Sequence, residues 1–259
     1  MQGKPITIGY SPCPNDTFIF CKLAQEPDIS THLADVETLN RWAFEGKLDV
    51  TKLSFHAWLL VQDRYELLDA GAALGRGCGP LVISKSGGPF ALTAESVVAV
   101  PGELTTAHLL LRLWNPELEN RVFMPFNRIM DAVESGEVDA GVVIHEGRFV
   151  YKKRNLQCLE DLGEWWEKTT GQPIPLGCIA ARKGLKAEIE PRLKGSIQAA
   201  FDDLDSTKAY VKQHAQELAE EITRAHIETY VNDFTVELGE EGHAAIATLQ
   251  EMAKKAGII

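Results

Sequence analysis

Short apolar runs alternate with stretches whose apolar residues recur every three or four positions. The runs at 5–10, 48–53, 80–85, 96–100, 120–124, 138–144 and 175–181 predict strands. The periodic stretches at 15–25, 36–45, 55–62, 105–114, 126–135, 145–153 and 160–169 predict helices. From about residue 186 the pattern turns mainly helical, with three- and four-residue spacing at 197–211, 218–231 and 244–253. Such alternation indicates an α/β fold with mostly parallel strand pairing.

A weak internal repeat organises these elements. Gly46 and Asp49 lie 90 residues before Gly136 and Asp139, each pair joining the end of a helix to the next strand. The same offset carries Gly9-Tyr-Ser11 to Ala99-Val-Pro101 and Asn15-Asp16 to Thr105-Thr106. It predicts two similar α/β lobes facing one another across a cleft. The turn-rich segments 86–95 and 171–178 are the expected crossovers. They make 91–179 a second lobe inserted into a first lobe of 1–90 and 180–259.

Charge changes the picture by exclusion. A formal net charge of −11 argues against nucleic-acid or anionic-membrane partners, which need clustered Lys and Arg. No run approaches the roughly 18 apolar residues of a membrane span. A strand begins within a few residues of Met1, and the five cysteines form no CxxC pair. Both features set the expectation of a cytoplasmic protein with reduced thiols. Cys13 and the Trp165-Trp166 pair read as packing residues.

The densest candidate chemistry lies in Ser11-Pro-Cys-Pro-Asn-Asp-Thr-Phe18, directly after the first strand. Two prolines stiffen this loop, and Asn15 or Asp16 is placed to cap the helix that follows, whose free N–H groups suit an anion. His145 follows the apolar strand Ala140-Gly-Val-Val-Ile144, at the strand end where ligand groups gather in α/β sheets. An imidazole there serves as a general base or merely packs. His56 occupies nearly the equivalent place in the first lobe. Lys52 and Ser54 alternate onto one face, either to hold a carboxylate or as a surface lysine and a helix cap. Thr105-Thr106 offers hydroxyls and N–H groups to an anion or sugar, or simply caps a helix. The run Gly75-Arg-Gly-Cys-Gly79-Pro80 precedes a strand and so does not fit a dinucleotide fingerprint. No metal or nucleotide motif is present, and the expectation is a protein without cofactor or metal.

In combination these motifs resemble one known family. Ser11-Pro-Cys-Pro-Asn-Asp-Thr-Phe18, Asp35-Val-Glu-Thr-Leu-Asn40, Thr51-Lys-Leu-Ser54, Ala73-Leu-Gly-Arg-Gly77 with Gly79-Pro80, Thr105-Thr106 and Ile144-His-Glu146 resemble the 1,4-dihydroxy-6-naphthoate synthases of the futalosine route to menaquinone. Cys78 stands where an aliphatic residue is more usual. The resemblance implies a two-lobed periplasmic-binding-protein type II fold. It implies a carbon–carbon lyase that releases 1,4-dihydroxy-6-naphthoate from cyclic dehypoxanthine futalosine, with His145 as proton acceptor. Residues at Lys52, Leu53, Ser54, Thr105 and Thr106 are then substrate-binding, joined in our reading by Ser11 and Asn15. The alternatives are chorismate dehydratase of the same pathway and a non-catalytic small-anion binding protein. Oligomeric state is not legible in the chain.

Overall fold

The computed structural model describes residues 4–87, 91–214 and 219–259. The first sheet holds β1 (Ile6–Tyr10), β2 (Ile29–Leu33), β3 (Val50–Ser54), β4 (Tyr65–Leu67) and β5 (Ala73–Gly75). The second holds β6 (Leu81–Lys85), β7 (Val98–Val100), β8 (Arg121–Phe123), β9 (Ala140–Val143) and β10 (Leu156–Asp161), after which β11 (Ile174–Arg182) returns to the first. Their orders are β2-β1-β3-β11-β4, with β5 also on β11, and β10-β6-β9-β7-β8. Read from β8, the second order has the plan of the first.

Register makes the repeat concrete. Ile8 pairs with Val50 and Thr31 in the first sheet, while Val98 pairs with Ala140 and Arg121 in the second. Each position is displaced by 90 residues, and the parallel pairing is the same. Asp49 Oδ2 accepts from Thr7 N at 2.9 Å, and Asp139 Oδ2 accepts from Val97 N at 2.7 Å. These carboxylates satisfy an N–H at the start of the neighbouring strand and lock its register. The helices Val36–Glu45 and Phe126–Ser135 both end on a left-handed glycine, Gly46 and Gly136.

Three expectations require correction. Pairing is mixed rather than mostly parallel, because β6 and β11 run back from the other lobe and pair antiparallel to β9 and β3. The first crossover lies at 76–80, so Leu81–Lys85 belongs to the second sheet, and β11 from Ile174 belongs to the first. Turn composition pointed instead at 86–95, where Ser86 and Gly87 form a turn and 88–90 lie outside the described residues. The strands β2, β4, β5 and β10 were absent from the apolar-run reading, since polar residues interrupt β2, β4 and β10 and β5 is only three residues long.

The first crossover touches the start of helix Leu162–Thr170, which follows β10. Gly79 and Gly163 pack backbone against backbone, so close that a side chain on either would collide with the other. Arg148 ties this junction by donating to Gly79 O at 2.7 Å and to Asp161 Oδ2 at 2.6 Å. Helix Lys186–Asp202 covers one face of the first sheet through Ile189, Leu193 and Ile197. Helix Glu220–Tyr230 reaches the first helix, Pro14–Phe20, and helix Gly239–Lys255 lies on β11. Position 218, at the start of one expected helical stretch, lies outside the described residues. No helix among the described residues is long and apolar enough to cross a membrane.

Candidate active site

A cavity enclosing roughly 660 Å³, open mouth included, lies between the sheets. Ser11, Asn15, Lys52, Leu53, Ser54, Thr105, Thr106 and His145 all line it. The end of β1, the first helix and β3 bring the first five in from one lobe, and β9 with the start of helix Thr106–Trp114 supplies the rest. Apolar walls come from Val36, Ala73, Pro80, Ile144 and Leu176. The walls therefore suit a flat apolar body whose polar groups meet fixed partners.

His145 stands in the turn after β9 with φ of 54°, a left-handed backbone that a non-glycine residue rarely takes. Its Nδ1 lies 3.4 Å from Cys13 Sγ, and its ring is 5.1 Å from that of Phe126. Burial of the ring pushes its pKa down to about 4, so the imidazole is neutral at pH 7 and one nitrogen accepts a proton. The Cys13 thiol is pushed up by burial and stays protonated. Cys13 is thus more than packing; it contacts the ring.

Lys52 is not the surface lysine of the simpler reading. Its Nζ lies 2.8 Å from Asp16 Oδ1, with 7% and 2% of the two side chains exposed. The contact is an ion pair whose angles fall short of a hydrogen bond, so the ammonium's N–H groups have no well-aligned protein acceptor. Gly177 on β11 leaves room for the Lys52 stem to cross it. Asp16 Oδ2 also accepts from Ser11 Oγ at 2.6 Å and Ser11 N at 3.2 Å. The first helix begins at Pro14 with Cys13 as its N-cap, so neither Asn15 nor Asp16 caps it. That places Asn15-Asp16 two residues out of step with Thr105-Thr106 in the repeat. The carboxylate of Asp16 sits in that first turn, held by Ser11, Asn15 and Lys52.

The remaining hydroxyls are largely committed. Ser54 sits at the N-cap of helix Phe55–Leu60 without a capping bond; it accepts from Asn40 Nδ2 at 3.1 Å, while Ser54 N donates to Asn40 Oδ1 at 2.9 Å. Thr105 caps its helix through His108 N at 3.2 Å and donates to Gly102 O at 2.8 Å. Thr106 Oγ1 donates to Leu176 O at 2.7 Å and accepts from His56 N at 3.3 Å, joining the lobes. What this helix start still offers the cavity is the N–H groups of Thr106 and Ala107, which precede its first intrahelical bond. His56 is a structural link: its Nδ1 donates to Thr105 O at 3.3 Å, and burial lowers it to about 4.

Two cavity residues were missed in the sequence. His226 and Tyr230 share one face of helix Glu220–Tyr230. His226 Nε2 lies 2.9 Å from Asn15 Oδ1, and its ring is nearly parallel to that of His145, with centroids 5.9 Å apart. Their four-residue spacing was the available signal, but it read as ordinary helix packing. Among the described residues no group of three or more His, Cys, Asp or Glu is arranged to hold a metal.

A family model described as menaquinone biosynthesis matches residues 6–255. The chain belongs to this menaquinone-biosynthesis family. Within it, the chain is 45% identical over 273 residues to a 1,4-dihydroxy-6-naphthoate synthase of Streptomyces coelicolor, covering 100% of this chain and 96% of that protein. It is 44% identical to a protein of the same name from Thermus thermophilus, covering 98% and 96%. Both relatives name a biosynthetic enzyme, and the chain is an enzyme of menaquinone biosynthesis that acts on a small molecule. Among solved structures, protein AF1704 of Archaeoglobus fulgidus superposes with a TM-score of 0.92 at 36% identity over 100% of both chains. The alkanesulfonate-binding protein SsuA of Xanthomonas axonopodis superposes at 0.69 with 14% identity, over 100% and 95%. That likeness establishes the two-lobed periplasmic-binding-protein fold for the family member described here.

Proposed function

We propose that the protein is a lyase converting cyclic dehypoxanthine futalosine to 1,4-dihydroxy-6-naphthoate, with His145 as the general base. The observation that carries this reading is the His145 imidazole facing the same cavity as the buried Lys52 and the start of helix Thr106–Trp114. In this reading the N–H of His145 Nδ1 is donated to Cys13 Sγ, which leaves Nε2 as the accepting nitrogen. Nε2 takes a proton from the sugar-derived part of the substrate. The proton leaves a hydroxyl, its bonding pair closes a carbonyl, and the adjacent carbon–carbon bond breaks in a retro-aldol sense with its pair passing to the ring fragment as an enolate; aromatisation of the naphthalene ring drives the step. Lys52 holds the aromatic carboxylate against Asp16, and the Thr106 and Ala107 N–H groups meet sugar oxygens, with Ser11, Asn15, Leu53, Ser54 and Thr105 shaping the surrounding wall. No residue of this scheme requires a cofactor. Five unpaired cysteines accord with work in a reducing compartment such as the cytoplasm.

The test is a product assay with purified protein and cyclic dehypoxanthine futalosine. Formation of 1,4-dihydroxy-6-naphthoate by the parent and its loss in His145→Gln, with substrate binding retained, is the expected result. Tight binding without product identifies a carrier instead, and turnover of chorismate identifies the dehydratase.

A further inference from the structure

His226 is buried and lines the cavity beside His145, yet the scheme above gives it no role. Its hydrogen bonding fixes its chemistry. Asn15 Nδ2 lies 2.9 Å from Asp16 Oδ1, and a carboxylate can only accept, so the Asn15 amide is oriented with its nitrogen toward Asp16. The amide oxygen is then the group facing His226 Nε2 at 2.9 Å, and Nε2 must carry the proton. His226 Nδ1 is left as the lone-pair nitrogen, with no acceptor or donor of its own among the described residues. The two imidazoles are held independently, His145 by Cys13 and His226 by Asn15, with ring planes within 10° of parallel.

We infer that His226 is a second proton acceptor of the cavity, taking a proton at Nδ1 from a different substrate atom than the one His145 attacks. The inference rests on the lyase reading, in which cleavage and aromatisation each release a proton. In its step a substrate O–H or C–H bond breaks, the bonding pair stays on the substrate, and the proton moves to Nδ1. The imidazolium so formed keeps its Nε2–H on Asn15 and later gives the proton to water. The charged and titratable groups facing His226 are His145 after β9, Asp16 on the first helix, Lys52 on β3 and Tyr230 on its own helix. Burial lowers the His226 pKa, consistent with a neutral acceptor.

Two replacements separate acceptor from scaffold. His226→Gln keeps an N–H donor near the Nε2 position and so keeps the bond to Asn15, but it removes the lone-pair nitrogen. Turnover of cyclic dehypoxanthine futalosine is expected to fall about 100-fold or more in this variant, the low end for a lost general base, with KM within about threefold. The acid limb of kcat should lose one proton dependence relative to the parent. His226→Asn, which loses the Nε2 donor, should lower the unfolding midpoint as well. Parent-like kcat in His226→Gln overturns the inference while the lyase reading stands. A fall in kcat with an unchanged pH profile also overturns it and makes His226 a positioning residue. No product from the parent itself overturns both.

Discussion

Lys52 and Asp16 form a buried ion pair, 2.8 Å apart, that joins the third strand to the first helix in the wall of the cavity. Removing one member leaves the other charged and enclosed, which typically costs about 3–5 kcal/mol. Lys52→Ala is therefore expected to unfold at markedly lower urea, and its KM alone does not report on substrate. The double variant Lys52→Met with Asp16→Asn should recover at least half of the lost stability. A raised KM in that double variant, by about tenfold, identifies Lys52 as a substrate anchor; a parent-like KM returns it to structure.

Asn40 holds Ser54 by two hydrogen bonds and reaches Leu104 O of the other lobe at 3.3 Å. Asn40→Ala leaves the buried Ser54 N–H without a partner, at a cost of about 1–3 kcal/mol. Urea unfolding should show that loss, and an unchanged midpoint would mean water replaces the amide freely.

Acid should destabilise the fold before carboxylates titrate. His56 is lowered to about 4 by burial, with His108 beside it adding to the shift. The unfolded chain binds the proton near the ordinary histidine value of about 6.5, so stability is full above that pH and falls as pH drops toward about 4. His56 alone contributes roughly 2 kcal/mol of loss by about pH 5. Thermal midpoints measured between pH 7.5 and pH 5 should fall steeply, and His56→Asn should flatten the slope. A flat parent profile excludes the mechanism.

Activity should persist further into acid than an ordinary histidine allows, because burial lowers His145 to about 4. The acid limb of kcat/KM is expected in that region, read at pH values where circular dichroism shows folded protein. A limb centred near 6.5 would show that the working imidazole is solvated.

Gly79→Ala places a methyl group into the backbone of Gly163, forcing the first crossover away from helix Leu162–Thr170. A loss of at least about 2 kcal/mol and a larger radius of gyration are expected by unfolding and solution scattering.

Much of this organisation was readable along the chain. Gly46 with Asp49 and Gly136 with Asp139 marked the repeat because a helix-stop glycine is a local device, whereas the strand N–H groups that the two carboxylates hold, Thr7 and Val97, lie 42 positions away and were found only in the fold. The site motifs at Ser11, Lys52, Thr105 and His145 were visible because each lies in or shortly after the carboxyl end of a strand, and these ends converge on one cleft. The crossovers were misplaced because a turn-rich composition at 86–95 says nothing about which sheet the preceding strand joins.

By itself the sequence determined most element types, the twofold plan and the residues able to do chemistry, since hydrophobic periodicity, helix-stop glycines and side-chain type are properties of short segments. Only the tertiary structure decided that Lys52 faces Asp16, that Thr106 is bound between lobes, and that His226 joins His145 from 81 positions further along the chain. Those outcomes depend on long-range packing, in which burial removes water from a group and leaves whichever neighbour the fold supplies as its partner.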